Sequence, residues 1–153
     1  MDDILKQLQG DQKEIIEALN KIRSEDEIIK DYISDIEKHL LDSNEEIQER
    51  AFNAIAFKTK LTSLQKKMIS KTIPKFLKST ETRLQMTALN ALEFQTEMIE
   101  ANAIDISAFL YENNLPCFRY QSAAILDKVE LKEPSVVKAL EVYMDGEDRK
   151  SVV

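Results

Sequence analysis

Glycine, proline and the usual zinc ligands are scarce in this chain, and each scarcity excludes a class of protein. Two glycines and three prolines in 153 residues, with no tryptophan, are too few for the tight turns that a sheet protein of this length requires. An all-α chain is expected. The single Cys117 cannot form an internal disulfide, and one cysteine with one histidine, His39, leaves no zinc site of the Cys/His kind. A reducing compartment follows, with no metal and no cofactor. Gly10 and Gly146 alone cannot build a glycine-rich phosphate loop. No run of about 18 apolar residues occurs, and the acidic start at Met1, Asp2 and Asp3 has no apolar core of signal-peptide length. The expected setting is cytoplasmic, with no membrane partner.

What the sequence does have is recurrence. The stretch from Leu40 to Ile55 returns 37 residues later as Leu77 to Leu92. Leu40 maps to Leu77, Ile47 to Leu84, Gln48 to Gln85, Ala51 to Ala88, Asn53 to Asn90 and Ile55 to Leu92. Further on the spacing shortens, Leu77 mapping to Leu110 and Ala88 to Ser122. Self-similarity at this period marks a helical repeat array, in which each unit buries its apolar face only against its neighbours.

Local signals divide the array. Ile4, Leu5, Leu8, Ile15, Leu19 and Ile22 form one apolar stripe along a helix broken at Gly10 and Asp11. Ser24 with Glu27, Ser43 with Glu46 and Thr62 with Gln65 each read as a capping box opening a helix. The first of these helices is expected to run through Ile29, Tyr32, Ile33 and Ile36 to about Leu41, and the second to about Thr59. Pro74 should kink the third near Ser70 or end it early. A helix over 80–94 and one over 97–111, interrupted near Asn102, come next. Asn114 should cap the following helix, with Pro116 in its first turn; another opens at Pro134 and runs to Met144, and Asp145 to Asp148 should turn the chain. The chain thus reads as a single domain. Residues 1–26 form capping helices, 27–61, 62–95 and 96–130 form repeats, and 131–153 form a partial repeat. An ending inside a fourth pair suggests a truncated cap or a fragment of a longer array.

An aspartate or similar turn residue, then an aliphatic, then small residues four and seven later with an aliphatic beside them, recurs at Asp42, Ile47, Ala51, Ala54 and Ile55. It returns at Leu84, Ala88, Ala91 and Leu92, and again at Phe118, Ser122, Ile125 and Leu126. This pattern resembles the HEAT repeat family over roughly residues 27–144. The resemblance implies a right-handed α-solenoid of about four antiparallel helix pairs. A repeat surface without catalytic residues leads to the expectation of a non-enzymatic scaffold or adaptor that binds another protein or peptide. Independently of the name, small residues at Ala51, Ala54, Ala88, Ala91 and Ala123 let helices approach closely while aliphatics fill the layer between them. The expected core is Ile36, Leu40, Ile47, Ala51, Ile55, Ile73, Leu77, Leu84, Ala88, Leu92, Phe109, Leu110, Phe118 and Leu126.

Charge is uneven despite a net value of -7. Residues 1–49 hold fifteen acids and six bases, whereas residues 58–83 hold eight bases and only Glu81 as acid. The bases are Lys58, Lys60, Lys66, Lys67, Lys71, Lys75, Lys78 and Arg83, and Lys67, Lys71, Lys75 and Lys78 share one helical face. Such a run can hold phosphates by counterion release, which makes nucleic acid the alternative partner; the plainer reading is a solvated face. A second candidate surface is a ladder of Asn53 and Asn90 with Gln48 and Gln85, whose amides can bond the backbone of an extended peptide; it looks like the asparagine ladder of armadillo proteins. His39 reads as packed or solvated, and Cys117 as a small buried hydrophobe. The two charge surfaces predict a monomer that self-associates weakly as salt falls, with the amino-terminal stripe or Val152 and Val153 as its apolar centre. Within one molecule the two surfaces are not expected to meet.

Overall fold

A computed structural model describes residues 3–28, 30–111 and 114–152, and of residues 147–152 the backbone alone. Every regular element among the described residues is helical, with no strand. The expected positions Ile29 and Val153 and the side chain of Val152 lie outside this description. The chain groups into two compact units, Met1–Thr87 and Ala88–Val153.

In the first unit α1 (Asp3–Leu8) and α2 (Gln12–Ser24) are separated at Gly10, as the sequence implies. Asp11 caps α2 reciprocally, its Oδ1 accepting from Glu14 N at 2.9 Å while Glu14 Oε1 accepts from Asp11 N at 3.3 Å. The capping box expected at Ser24 does not form. Ser24 ends α2 and donates its hydroxyl to Lys21 O at 2.7 Å, so its oxygen serves the helix behind it and not one ahead. A 3₁₀ turn, Lys30–Tyr32, leads into α3 (Ile33–His39). α4 (Glu45–Ala56) starts one residue later than expected: Asn44, not Ser43, is the cap, accepting from Glu46 N and Ile47 N. Asp42 fixes that register by accepting from Asn44 N at 2.9 Å. α5 (Ser63–Leu77) has the expected Thr62 and Gln65 box. It does not end early at Pro74. The carbonyl that Pro74 cannot bond belongs to Ser70, an exposed residue.

α2 packs on α1 and α4, and α4 also packs on α3 and α5. Ala51 and Ala54 are fully buried, which permits that closeness, and Phe52 meets the Phe76 ring at 5.2 Å. Leu8, Ile15, Leu19 and Ile22 are buried in this same core. Most of the amino-terminal stripe is therefore consumed inside the unit, whereas Ile4 and Leu5 at its start are half-buried. Burying one such aliphatic contributes about 1.5–3 kcal/mol, far more than an exposed ion pair.

α6 (Thr82–Phe94) carries the boundary between the units. In the second unit the helix expected over 97–111 is a series of short pieces. Two 3₁₀ turns, Thr96–Met98 and Glu100–Asn102, precede α7 (Ala103–Ser107) and a third turn, Ala108–Leu110. The break at Asn102 is present, with Asn102 Nδ2 donating to Met98 O at 2.8 Å. α8 (Pro116–Leu126) begins at the expected proline, but Asn114 does not cap it: its Nδ2 donates backward to Ala108 O and Tyr111 O. α9 (Pro134–Val152) runs straight through Asp145 to Asp148, where a turn was expected. A single interior glycine costs only about 1 kcal/mol against alanine, too little to break an otherwise helical run. α7, α8 and α9 pack on one another, with Phe109 stacked on Phe118 at 5.6 Å. Every residue of the expected core is buried.

Candidate protein-binding groove

α5 sorts its side chains by period. Met68, Ile69, Thr72, Ile73, Phe76 and Leu77 turn inward, while Lys66, Lys67, Lys71, Lys75 and Lys78 are exposed. The rest of the basic run is engaged elsewhere. Lys58 is only 7% exposed, and its ammonium donates to Ile22 O at 2.9 Å, to Arg23 O at 3.3 Å and to Glu25 O. These are carbonyls at the end of α2, where the helix dipole favours a cation. Burial lowers the Lys58 pKa from 10.5, with Glu25 and Asp26 acting in the opposite direction. Lys60 pairs with Glu27 at 3.5 Å. Arg83 reaches Glu49 at 3.7 Å and Glu46 at 4.0 Å, beside Arg50, which approaches the same two glutamates. Acidic and basic stretches thus meet within one unit, contrary to expectation, because the chain folds residues 25–27 and 46–49 onto the flanks of the basic run.

Between the turn after α3, the start of α4, the end of α5 and Leu84 of α6 lies a groove of about 350 Å³, lined among others by Leu40, Leu41, Gln48, Thr72, Lys75 and Phe76. A hollow of about 120 Å³ shares Leu40, Leu41, Thr72 and Lys75 with it and adds Glu37, Met68 and Lys71. Buried Leu40 is common to both, with buried Phe76 in the groove and buried Met68 in the hollow, whereas Leu41, which also lines both, is 71% exposed. Glu45 and Glu81 line the larger groove but not the hollow. A hydrogen bond with Glu45, and then the Glu45 charge, raise the Glu81 pKa. Three of the expected site residues, Gln48, Lys71 and Lys75, are therefore brought together with an apolar trough. Nothing in the charge run pointed to Leu41; the only signal was an aliphatic beside Leu40, off the buried stripe.

The amides of the proposed ladder are placed as follows. Gln48 donates to Leu40 O at 3.5 Å and Gln85 to Ser79 O at 2.7 Å, so both tie a helix to the turn before it. Asn53 is half-buried in the first unit. Asn90 is exposed in the second, where Gln121 donates to it at 3.5 Å and to Glu93 at 2.8 Å. His39 is packed: its Nε2 lies 2.9 Å from Leu8 O, which can only accept, and its Nδ1 lies 3.6 Å from Asp42 Oδ2. Cys117 is exposed, not buried, in the first turn of α8. Among the described residues no group of three or more His, Cys, Asp or Glu could hold a metal ion, and no helix is long and apolar enough to cross a membrane. Compared with protein-family models, with characterised proteins and with solved structures, the chain matches none.

Proposed function

We propose that the chain is a non-enzymatic scaffold or adaptor of the HEAT-like kind, a right-handed stack of helix pairs that works in the cytoplasm by binding another protein. The observation that carries this reading is the groove on the first unit, where exposed Leu41 and the cations Lys71 and Lys75 surround an apolar floor. Support for the solenoid comes from the 37-residue recurrence together with the buried small residues Ala51, Ala54, Ala88 and Ala91 at matched positions.

A nucleic-acid reading rests on the lysine face of α5, which is exposed at Lys66, Lys67, Lys71, Lys75 and Lys78. It is the weaker of the two, since Lys58, Lys60 and Arg83 are engaged with their own chain. Affinity capture from a lysate of the source organism, with and without nuclease, separates the readings. Specific proteins retained after nuclease treatment support the scaffold; recovery of nucleic acid alone, lost on reversing Lys67, Lys71 and Lys75 to glutamate, replaces it with the alternative.

A further inference from the structure

The groove on the first unit combines three properties that constrain its occupant. In its smaller hollow buried Leu40 and Met68 are the apolar lining, exposed Leu41 is the edge, and the charges are two cations, Lys71 and Lys75, against one carboxylate, Glu37. An exposed leucine beside a trough is a place for one apolar side chain, and the lysines are places for carboxylates. A phosphate backbone has nothing apolar to put there. Its unbroken negative charge could not avoid both Glu37 in the hollow and Glu45 and Glu81 in the adjoining groove, carboxylates that equally confine the charges of an acidic peptide to the side of Lys71 and Lys75. A peptide carries its charges singly and can set an acid against Lys71 and Lys75 while keeping others clear.

On the premise that the chain is a protein-binding module, we infer that this groove receives a short acidic segment of a partner protein. One apolar side chain of that segment packs against Leu41 and the Met68 floor, and its carboxylates pair with Lys71 and Lys75. Exposed ion pairs give little affinity singly and fade with salt, so the apolar anchor supplies the remainder and the lysines set the choice of partner.

The test uses the full chain and four probes: a fluorescein-labelled glutamate and alanine peptide with one central leucine, the same peptide with serine for leucine, a labelled single-stranded oligonucleotide, and the chain itself. Anisotropy at low and at physiological ionic strength reads the first three, and sedimentation reads self-association. The leucine peptide is expected to bind, about tenfold more weakly to Lys71→Glu/Lys75→Glu, more weakly to Leu41→Ser, and unchanged to Lys60→Glu. All substituted side chains are exposed, and circular dichroism checks that the variants fold. The inference is overturned if the leucine peptide does not bind at low salt, or binds no better than its serine counterpart. It is equally overturned if binding ignores the Lys71 and Lys75 reversal, if the oligonucleotide binds more tightly than the peptide, or if copies of the chain occupy the groove and the reversal dissociates them. Failure here alongside lysate capture that survives these variants would leave the scaffold reading standing and remove only the acidic occupant.

Discussion

Replacing Lys58 by methionine keeps the apolar stem of the side chain and removes its charge and donors. The loss can be worked from the contacts. The ammonium serves three carbonyls at the end of α2. Ile22 O keeps a second donor in Glu25 N at 3.2 Å, and Arg23 and Glu25 are exposed enough for water to replace the lysine. A charge-assisted bond to a buried group is worth about 1.5–3 kcal/mol, and the dipole adds about 0.3–1 kcal/mol. Relief of the buried charge offsets part of this, leaving an expected loss of about 2 kcal/mol. With a urea m value of about 2 kcal/mol/M, the midpoint should fall by about 1 M. Lys60→Met is the control, since its pair with Glu27 is exposed on both sides and is worth at most about 0.5 kcal/mol. The pH dependence has a definite sign. Burial lowers the Lys58 pKa in the folded chain below 10.5, so just below that pH the unfolded chain holds a proton that the folded one has released. Stability should therefore rise with pH in that window, and the gap between the wild type and Lys58→Met should widen. Equal midpoints for Lys58→Met and Lys60→Met would refute the clamp.

Asn44→Ala should cost about 1 kcal/mol in the same urea titration and Ser43→Ala only a few tenths, the reverse of what a cap at Ser43 requires. Gly146→Ala should raise the stability of α9 by about 0.5–1 kcal/mol, because a β-carbon there meets nothing within 4 Å; a drop in helicity by circular dichroism would restore the turn. Leu19→Ala should destabilise the first unit by about 2–5 kcal/mol without altering sedimentation. A tight dimer that this substitution dissociates would return the amino-terminal stripe to the surface.

The core was legible because burial follows the helical period, which the positions of Ile47, Ala51, Ile55, Ile73 and Leu77 display directly. Caps were legible only in part. Thr62 with Gln65 formed as expected beside an equally competent Ser63, whereas between Ser43 and Asn44 the choice fell to Asp42, whose carboxylate holds Asn44 N. Ser24 looked forward in sequence but bonded backward. Lys58 was illegible for a deeper reason: its partners lie 33 to 36 residues away and are carbonyls, which every residue possesses and no sequence pattern marks. Grouping it with Lys66 to Lys78 by proximity in sequence concealed that it belongs to the core. The groove inherits the same difficulty, since Leu41 acquires meaning only when α3 and α5 stand beside each other.

The broken stretch from Thr96 to Leu110 has a consequence for how the second unit opens. Its turns rest on short-range bonds such as Met98 N to Gln95 O at 3.0 Å and Ile99 N to Thr96 O at 3.2 Å, each spanning three residues, with the poorer alignment of a 3₁₀ turn. Such bonds do not reinforce one another along a length of helix, so each can part without undoing its neighbours. Yet Ile99, Ile106 and Leu110 beneath them are buried. Deuterium should therefore enter the amides of this stretch well before those of α8. The moment it does is also the moment when the apolar interior of the second unit first meets water.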